Sequence, residues 1–121
     1  MLEKRILLIE DEPTTREILT DLLRGDGYDV DSVATAGAAT TCLQSIHYAL
    51  VLADWVLPDG DGVDVADAAA QLGSKTLIVS GRLADLPAGV ADRHDLMSKQ
   101  LGHTEIVAAV RRAIGGPRND T

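Results

Sequence analysis

The feature that most constrains this chain is a series of short apolar runs that alternate with stretches of helical periodicity. Three of the runs cover residues 5–9, 49–54 and 75–80, a half-exposed run of alternating polarity covers 28–33, and a fifth covers 96–98. Helical periodicity occupies residues 13–25, 36–47, 63–72 and 104–114. Continuous apolar runs between helices are typical of parallel strands that are covered on both faces. The alternation therefore predicts an α/β fold, a doubly wound five-stranded parallel sheet with helices on both faces.

Two segments of this pattern carry particular expectations. In the first helix, Ile18, Leu19, Leu22 and Leu23 recur at helical spacing and are predicted to face the core together. Between the fourth and fifth strands, Pro87 and Gly89 interrupt the pattern. The fourth helix is therefore predicted to be short or irregular.

Length, charge and cysteine content bound the class of protein. The 121 residues are enough for one domain, predicted over 1–115, with residues 116–121 as a frayed tail and no output domain. The balance of 19 acidic against 11 basic residues gives a net charge of −8, which disfavours direct nucleic-acid binding. No apolar run is long enough to cross a bilayer, so membrane insertion is not expected. The single cysteine excludes an internal disulfide, and we predict a cytoplasmic protein.

Polar side chains with complementary chemistry stand at the ends of four of the strands. They are the run Glu10-Asp11-Glu12, then Asp54, Ser80 and Lys99. The carboxyl ends of parallel strands meet at one edge of the sheet, where α/β proteins bind ligands. Carboxylates about 4 Å apart repel by roughly 4 kcal/mol per pair at an effective dielectric near 20, which favours either a divalent cation among them or a proton on one of them. Mg²⁺ suits oxygen ligands and leaves coordination sites for water and a phosphate.

Asp54 is the candidate nucleophile of this group. It ends the most apolar strand and opens a loop, where it could accept a phosphoryl group as an acyl phosphate. A lysine and a hydroxyl across the same cleft would supply further partners for the phosphoryl oxygens. The four strand ends together favour a phosphoryl-transfer site more strongly than any one of them.

The chain resembles the receiver domain of two-component response regulators over essentially its whole length. The matching segments are Ile6 to Pro13, Leu52 to Gly62, Thr76 to Gly81, and Lys99. An aspartate followed by Leu-Pro-Asp and a glycine, as in the second segment, is the most specific of these matches. The resemblance implies a flavodoxin-like strand order 2-1-3-4-5 and phosphotransfer from a histidine kinase or a histidine-phosphotransfer protein.

The resemblance also implies a role for each site residue. Asp54 would be the phosphoacceptor and a Mg²⁺ ligand, Asp11 a direct ligand, and Glu10 the holder of a metal-bound water. The backbone carbonyl of Val56 would complete the metal site. Ser80 would bond a phosphoryl oxygen, with Lys99 as its counter-charge. The domain would not be an enzyme acting on other substrates, because its chemistry would be limited to its own phosphorylation and slow self-hydrolysis.

Three positions depart from the family pattern. Gln100 follows the lysine where the family usually has a proline joined through a cis bond, and a cis bond before Gln would cost about 3 kcal/mol. A trans bond and a shifted Lys99 loop are the corresponding expectation. Leu96 replaces the usual switch aromatic, and the segment between Ser80 and Lys99 is short. These departures predict intact chemistry with an atypical switch and output face.

The partners follow from the same resemblance. A histidine kinase or histidine-phosphotransfer protein would dock on the first helix and the loop after the fifth strand, through residues such as Thr14, Thr15 and Arg16. A stand-alone receiver would then act on a downstream protein target, pass the phosphoryl group on, or serve as a phosphate sink. The alternative is a pseudo-receiver, an interaction module that works without phosphorylation, which the departures at Leu96 and Gln100 motivate.

Overall fold

The computed structural model describes residues 4–116, and five parallel strands form the main sheet within them. The strands are β1 (Arg5–Ile9), β2 (Asp29–Val33), β3 (Leu50–Asp54), β4 (Lys75–Ser80) and β5 (Asp95–Ser98). Their order is β2-β1-β3-β4-β5, and every neighbouring pair is parallel. The predicted fold class and strand order are confirmed. Apart from Gly116, the predicted tail lies outside the described residues.

The first four helices connect successive strands, and the fifth follows the last strand. They are α1 (Pro13–Gly25), α2 (Ala36–Ser45), α3 (Gly62–Gln71), α4 (Val90–Arg93) and α5 (His103–Ile114). Glu12 caps α1, because its carboxylate accepts hydrogen bonds from the backbone N–H groups of Thr14 and Thr15. Pro13 stands at the first helical position, where its missing N–H costs no hydrogen bond. In residues 4–116, every helix is too short or too polar to cross a membrane.

Alternate residues of the strands face two separate aliphatic cores. On one side, Leu8 and Leu52 pack with side chains of α1 and α5. On the other, Leu7 and Val51 pack with side chains of α2 and α3. The central strand β3 is buried along its whole length. Because both faces of the sheet are covered, β1, β3 and β4 are continuous apolar runs. The helices leave the carboxyl ends of the strands free for a site.

One part of the predicted core is wrong. Leu19 and Leu23 are almost fully buried, whereas Ile18 is 37% exposed and Leu22 is only half-buried. Leu19 and Leu23 are four residues apart, so they lie on the same side of α1 and face the sheet. Ile18 and Leu22 precede them by one residue, which turns both by about 100° toward the edge of the helix. The apolar stripe of α1 is therefore wider than the surface that the sheet can cover.

The segment between β4 and β5 is short, as predicted, and its end is anchored to the rest of the fold. It contains a 3₁₀ turn at Leu83–Asp85 and the single-turn helix α4. The side chain of His94, after α4, is fully buried, with Nε2 2.6 Å from Asp67 Oδ1 of α3. Its Nδ1 lies 2.5 Å from Thr76 Oγ1 of β4. Polar contacts on both ring nitrogens satisfy this buried side chain and fix the end of the segment.

Candidate functional site

Three carboxylates meet at the carboxyl ends of β1 and β3. These strands are neighbours in parallel register, with Ile9 opposite Ala53, so the residues that follow, Glu10 and Asp54, are brought side by side. Glu10 and Asp54 are buried, whereas Asp11 is exposed. One carboxylate oxygen from each of the three lies within 4.8 Å of the other two. The structure thus assembles the carboxylates that the sequence placed at different strand ends.

Lys99 bridges two of these carboxylates. Its Nζ lies 2.8 Å from Asp54 Oδ2 and 3.1 Å from Glu10 Oε1. Lys99 follows β5, and its backbone N–H donates to the carbonyl of Ser80 at 3.0 Å. Three negative charges and one positive charge leave the group with a formal charge of −2. This oxygen-rich donor set, with an uncompensated double charge, has the chemistry that suits Mg²⁺.

The pKa values at the site follow from burial and from these contacts. Burial raises the pKa of Glu10, and repulsion from Asp54 adds to the rise, whereas the Glu12 N–H and the Lys99 ammonium oppose it. For Lys99, burial works to lower the pKa, but the hydrogen bond and charge of Asp54, followed by those of Glu10, raise it overall. The lysine is therefore held as a cation between two carboxylates.

Ser80 ends β4 at the same edge of the sheet. It comes one residue after Val79, which is the register partner of Asp54. Its side chain is buried, and its Oγ accepts a hydrogen bond from the backbone N–H of Arg82 at 2.9 Å. Because the hydroxyl acts as an acceptor in this bond, its own hydrogen is available to another oxygen in the cleft.

The loop after Asp54 forms a small hairpin where the sequence predicts only irregular structure. Val56–Leu57 pairs antiparallel with Gly60–Asp61, and Val56 lies opposite Asp61. Leu57 is buried, whereas the side chain of Val56 is 65% exposed. Asp61 caps α3 by accepting from the Val63 N–H at 2.7 Å. The side chain of Val56 therefore takes little part in the core. The role of its backbone carbonyl as a metal ligand stays a prediction.

Gly62 fits beneath the backbone of Asp54 at the start of α3. Its N–H donates to the Trp55 carbonyl at 2.7 Å. A Cβ at this position would lie 1.9 Å from the Asp54 carbonyl oxygen. Only glycine allows this close approach without moving the backbone that carries Asp54.

Arg16 contributes to the site in a way that its sequence position did not predict. The sequence predicts an exposed docking residue, but the guanidinium Nη1 of Arg16 donates to the backbone carbonyl of Glu10 at 3.0 Å and contacts that of Asp11 at 3.4 Å. These bonds hold the backbone of the acidic run against α1. The five- and six-residue spacing gives no local signal for them, because the contact depends on how the chain turns into α1.

The structure also shows the local arrangement at two departures from the family pattern, Gln100 and Leu96. Peptide bonds throughout the described residues are trans, which includes the bond before Gln100, and Lys99 nonetheless reaches Asp54. Leu96 is half-buried and packs beside a small cluster that includes Ile78 and Val90. An aliphatic side chain therefore occupies the place of the aromatic, against the short α4 segment.

The fold and this edge define a class: a flavodoxin-like α/β domain with an acidic, lysine-containing site at the carboxyl ends of its strands. The family model of the response regulator receiver domain matches residues 6–111. The chain belongs to the response regulator receiver domain family.

Curated relatives match over most of this chain. The DNA-binding response regulator MtrA of Mycolicibacterium smegmatis is 31% identical over 114 residues, which is 91% of this chain and 50% of that protein. The transcriptional regulatory protein PmrA of Pectobacterium parmentieri is 31% identical over 91% of this chain and 52% of its own length. The chain thus spans about half the length of these relatives.

Solved structures agree with the fold. A response regulator receiver domain protein from Methanospirillum hungatei superposes with a TM-score of 0.82 at 23% identity, over 93% of this chain and 94% of that one. The response regulator protein TrrA from Thermotoga maritima, in complex with Mg²⁺-BeF, has a TM-score of 0.78 at 26% identity, over 91% of this chain and 98% of that one.

Proposed function

We propose that this receiver domain accepts a phosphoryl group on Asp54 from a histidine kinase or histidine-phosphotransfer protein. The observation that carries the proposal is the contact of Asp54 with Lys99 at 2.8 Å, inside a cluster where Glu10, Asp11 and Asp54 lie within 4.8 Å of one another. An isolated aspartate at a strand end needs neither a paired lysine nor two neighbouring carboxylates.

Mg²⁺ is the cofactor that fits this cluster. Asp11 and Asp54 would hold it directly, together with the backbone carbonyl of Val56, while Glu10 would hold a metal-bound water. When bound, the cation supplies charge neutralisation for the incoming phosphoryl oxygens. The Mg²⁺-BeF complex of TrrA is a property of that protein, and it supports the same choice of cation here.

In the transfer, one oxygen of the Asp54 carboxylate attacks the phosphorus of a phosphohistidine. A P–O bond forms to Asp54 and the P–N bond to the donor imidazole breaks, so the nitrogen leaves with the bonding electron pair. Lys99 already contacts the Asp54 carboxylate and is placed to pair with a phosphoryl oxygen. The Ser80 hydroxyl has a hydrogen to donate to a second phosphoryl oxygen. Water later cleaves the acyl phosphate, which returns the Asp54 carboxylate and releases inorganic phosphate. The proposal includes no turnover of external substrates.

The output proposed is a protein contact in the cytoplasm, without direct nucleic-acid binding by this domain. The kinase would dock on α1 and on the loop after β5, where Ile18 and Leu101 are exposed apolar side chains. Two exposed apolar residues on these elements are a better docking feature than Arg16, which is already engaged.

The test is mass spectrometry of the purified protein after treatment with acetyl phosphate, with and without Mg²⁺. The parent should gain one phosphoryl group, about 80 Da, in a Mg²⁺-dependent and hydrolytically labile way, as expected for an acyl phosphate. Asp54→Asn should gain none. The matched control Asp64→Asn removes an exposed carboxylate of α3 outside the cluster and should be modified like the parent.

The pseudo-receiver alternative predicts a different pattern. In that case neither acetyl phosphate nor a kinase would modify Asp54, and Asp54→Asn would bind the cellular partner as the parent does. Modification on a residue other than Asp54 would also contradict the proposal.

A further inference from the structure

The carboxylate of Asp59, at the tip of the hairpin that follows Asp54, is bound to the start of α2. Its Oδ1 accepts from the Ala36 N–H at 2.7 Å, and its Oδ2 accepts from the Gly37 N–H at 2.9 Å. These residues are more than twenty positions away in the chain, so the bonds join two separate elements of the fold. Both N–H groups belong to the first turn of α2, where a helix leaves its donors without internal partners.

The start of α2 depends on this outside carboxylate. Its first turn contains no acidic residue, and its own cap, Thr35, accepts only from the Ala38 N–H. Asp59 therefore satisfies the two donors that Thr35 does not reach, and it places a negative charge at the positive end of the helix. The bonds from Gly37 and Ala36 hold the pKa of Asp59 below its usual range, so the carboxylate is ionised at neutral pH.

Small residues on both sides make this contact close. A Cβ on Gly37 would lie 3.3 Å from Asp59 Oδ2, and a Cβ on Gly60 would lie 3.2 Å from the Cβ of Ala36. The hairpin tip and α2 thus lie so close that a side chain at position 37 or 60 would be crowded. A shift of the tip would break both hydrogen bonds together.

The same hairpin carries Val56, whose own side chain is 65% exposed and provides little anchoring. Val56 pairs with Asp61, and Leu57 pairs with Gly60. The base of the hairpin is held by the buried Leu57 and by the cap that Asp61 makes on α3. Its tip is held by Asp59. The position of the Val56 backbone therefore depends on anchors at both ends of the hairpin.

We propose that Asp59 is a positioning residue of the phosphoacceptor site, which holds the Val56 carbonyl in place for Mg²⁺ by fastening the hairpin to α2. This inference rests on the proposed function, because it assumes that the cluster binds Mg²⁺. Asp59 itself lies outside the group of three carboxylates. It acts on the cation through the backbone of the hairpin.

The experiment measures Mg²⁺ affinity by isothermal titration calorimetry and by the fluorescence of Trp55, the only tryptophan and the neighbour of Asp54. Asp59→Ala should bind Mg²⁺ about tenfold more weakly than the parent, the scale typical for residues that orient metal ligands. The matched control is Thr35→Ala, which removes a cap from the same end of α2 but leaves the hairpin tied. Urea unfolding should show both variants to be destabilised, whereas only Asp59→Ala should lose Mg²⁺ affinity.

Asp59→Asn keeps one acceptor oxygen for the N–H of Ala36 or Gly37, but its NH₂ group cannot accept from the other N–H. It should recover only part of the affinity that Asp59→Ala loses. An equal loss of Mg²⁺ affinity in Thr35→Ala would assign the effect to the stability of α2 and overturn the inference. If the parent binds Mg²⁺ and Asp59→Ala binds it with the same affinity, this inference alone is overturned. A parent without saturable Mg²⁺ binding would overturn the proposed function and this inference together.

Discussion

Gly62→Ala is the substitution for which the structure makes the sharpest prediction. The new Cβ would lie 1.9 Å from the Asp54 carbonyl oxygen and 2.8 Å from its carbonyl carbon. The first distance is roughly 1.5 Å inside an ordinary van der Waals contact. Both atoms belong to the backbone, so no side-chain rotation can relieve the clash, and either β3 or the start of α3 must move.

The expected cost follows from two opposing effects. Overpacking costs about 3 kcal/mol when a rigid neighbour must shift. The greater helix propensity of alanine offsets at most about 1 kcal/mol. The net loss of about 2 kcal/mol corresponds to a fall in Tm of roughly 8 °C for a domain of this size.

Gly25→Ala is the matched control, because Gly25 is the last residue of α1 and an added Cβ there would meet nothing within 4 Å. It should be neutral or slightly stabilising. The assay is thermal and urea unfolding of the parent and both variants, followed by acetyl phosphate labelling at a temperature where all three are folded. Labelling of Gly62→Ala should be slower, since the displaced atoms belong to Asp54. Equal stability and labelling of the two variants would refute this account of the close approach.

Three further predictions concern stability. Hydrogen bonds from Arg93 and His94 hold the pKa of Asp67 below its usual range, so its stabilising contribution is present above the unfolded pKa and is lost as pH falls through the folded one. Asp67→Asn should be about 1 kcal/mol less stable than the parent at pH 7, with a gap that closes below about pH 4 in urea unfolding. Lys99→Met should lower Tm in EDTA, because the carboxylates lose their internal counter-charge. Mg²⁺ should then raise the Tm of this variant more than the Tm of the parent. An equal rise in Tm for the two proteins would contradict the electrostatic account. Leu23→Ala should cost roughly 2–5 kcal/mol and Ile18→Ala only about 1 kcal/mol, as their different exposure requires.

The sequence was sufficient for the fold and for the grouping of the carboxylates, because both depend on strand order. Once Glu10 and Asp54 are placed at the ends of parallel strands, the sheet itself brings them to one edge. Lys99 follows for the same reason, since it comes directly after β5. These residues are positioned by regular structure, whose periodicity can be detected in the chain.

The supporting contacts could not be predicted in the same way. Arg16 and Asp59 bind backbone groups of other segments, and nothing in their sequence neighbourhood indicates which carbonyl or N–H they reach. Ile18 shows a related limit, because helical spacing indicates an apolar stripe but not how much of it the sheet covers. Tertiary packing decides all three.

The turn after β5 explains how Lys99 reaches Asp54 without the proline that usually follows this lysine in the family. The Lys99 N–H donates to the Ser80 carbonyl at 3.0 Å, and the Gln100 N–H donates to Ser98 Oγ at 3.1 Å. A proline at position 100 has no N–H and could not make the second bond. Here a bond from the backbone to the Ser98 side chain directs the chain instead, a local pattern that serine often supports. The change to Gln100 therefore alters how the turn is held, while the lysine still lies against the proposed phosphoacceptor.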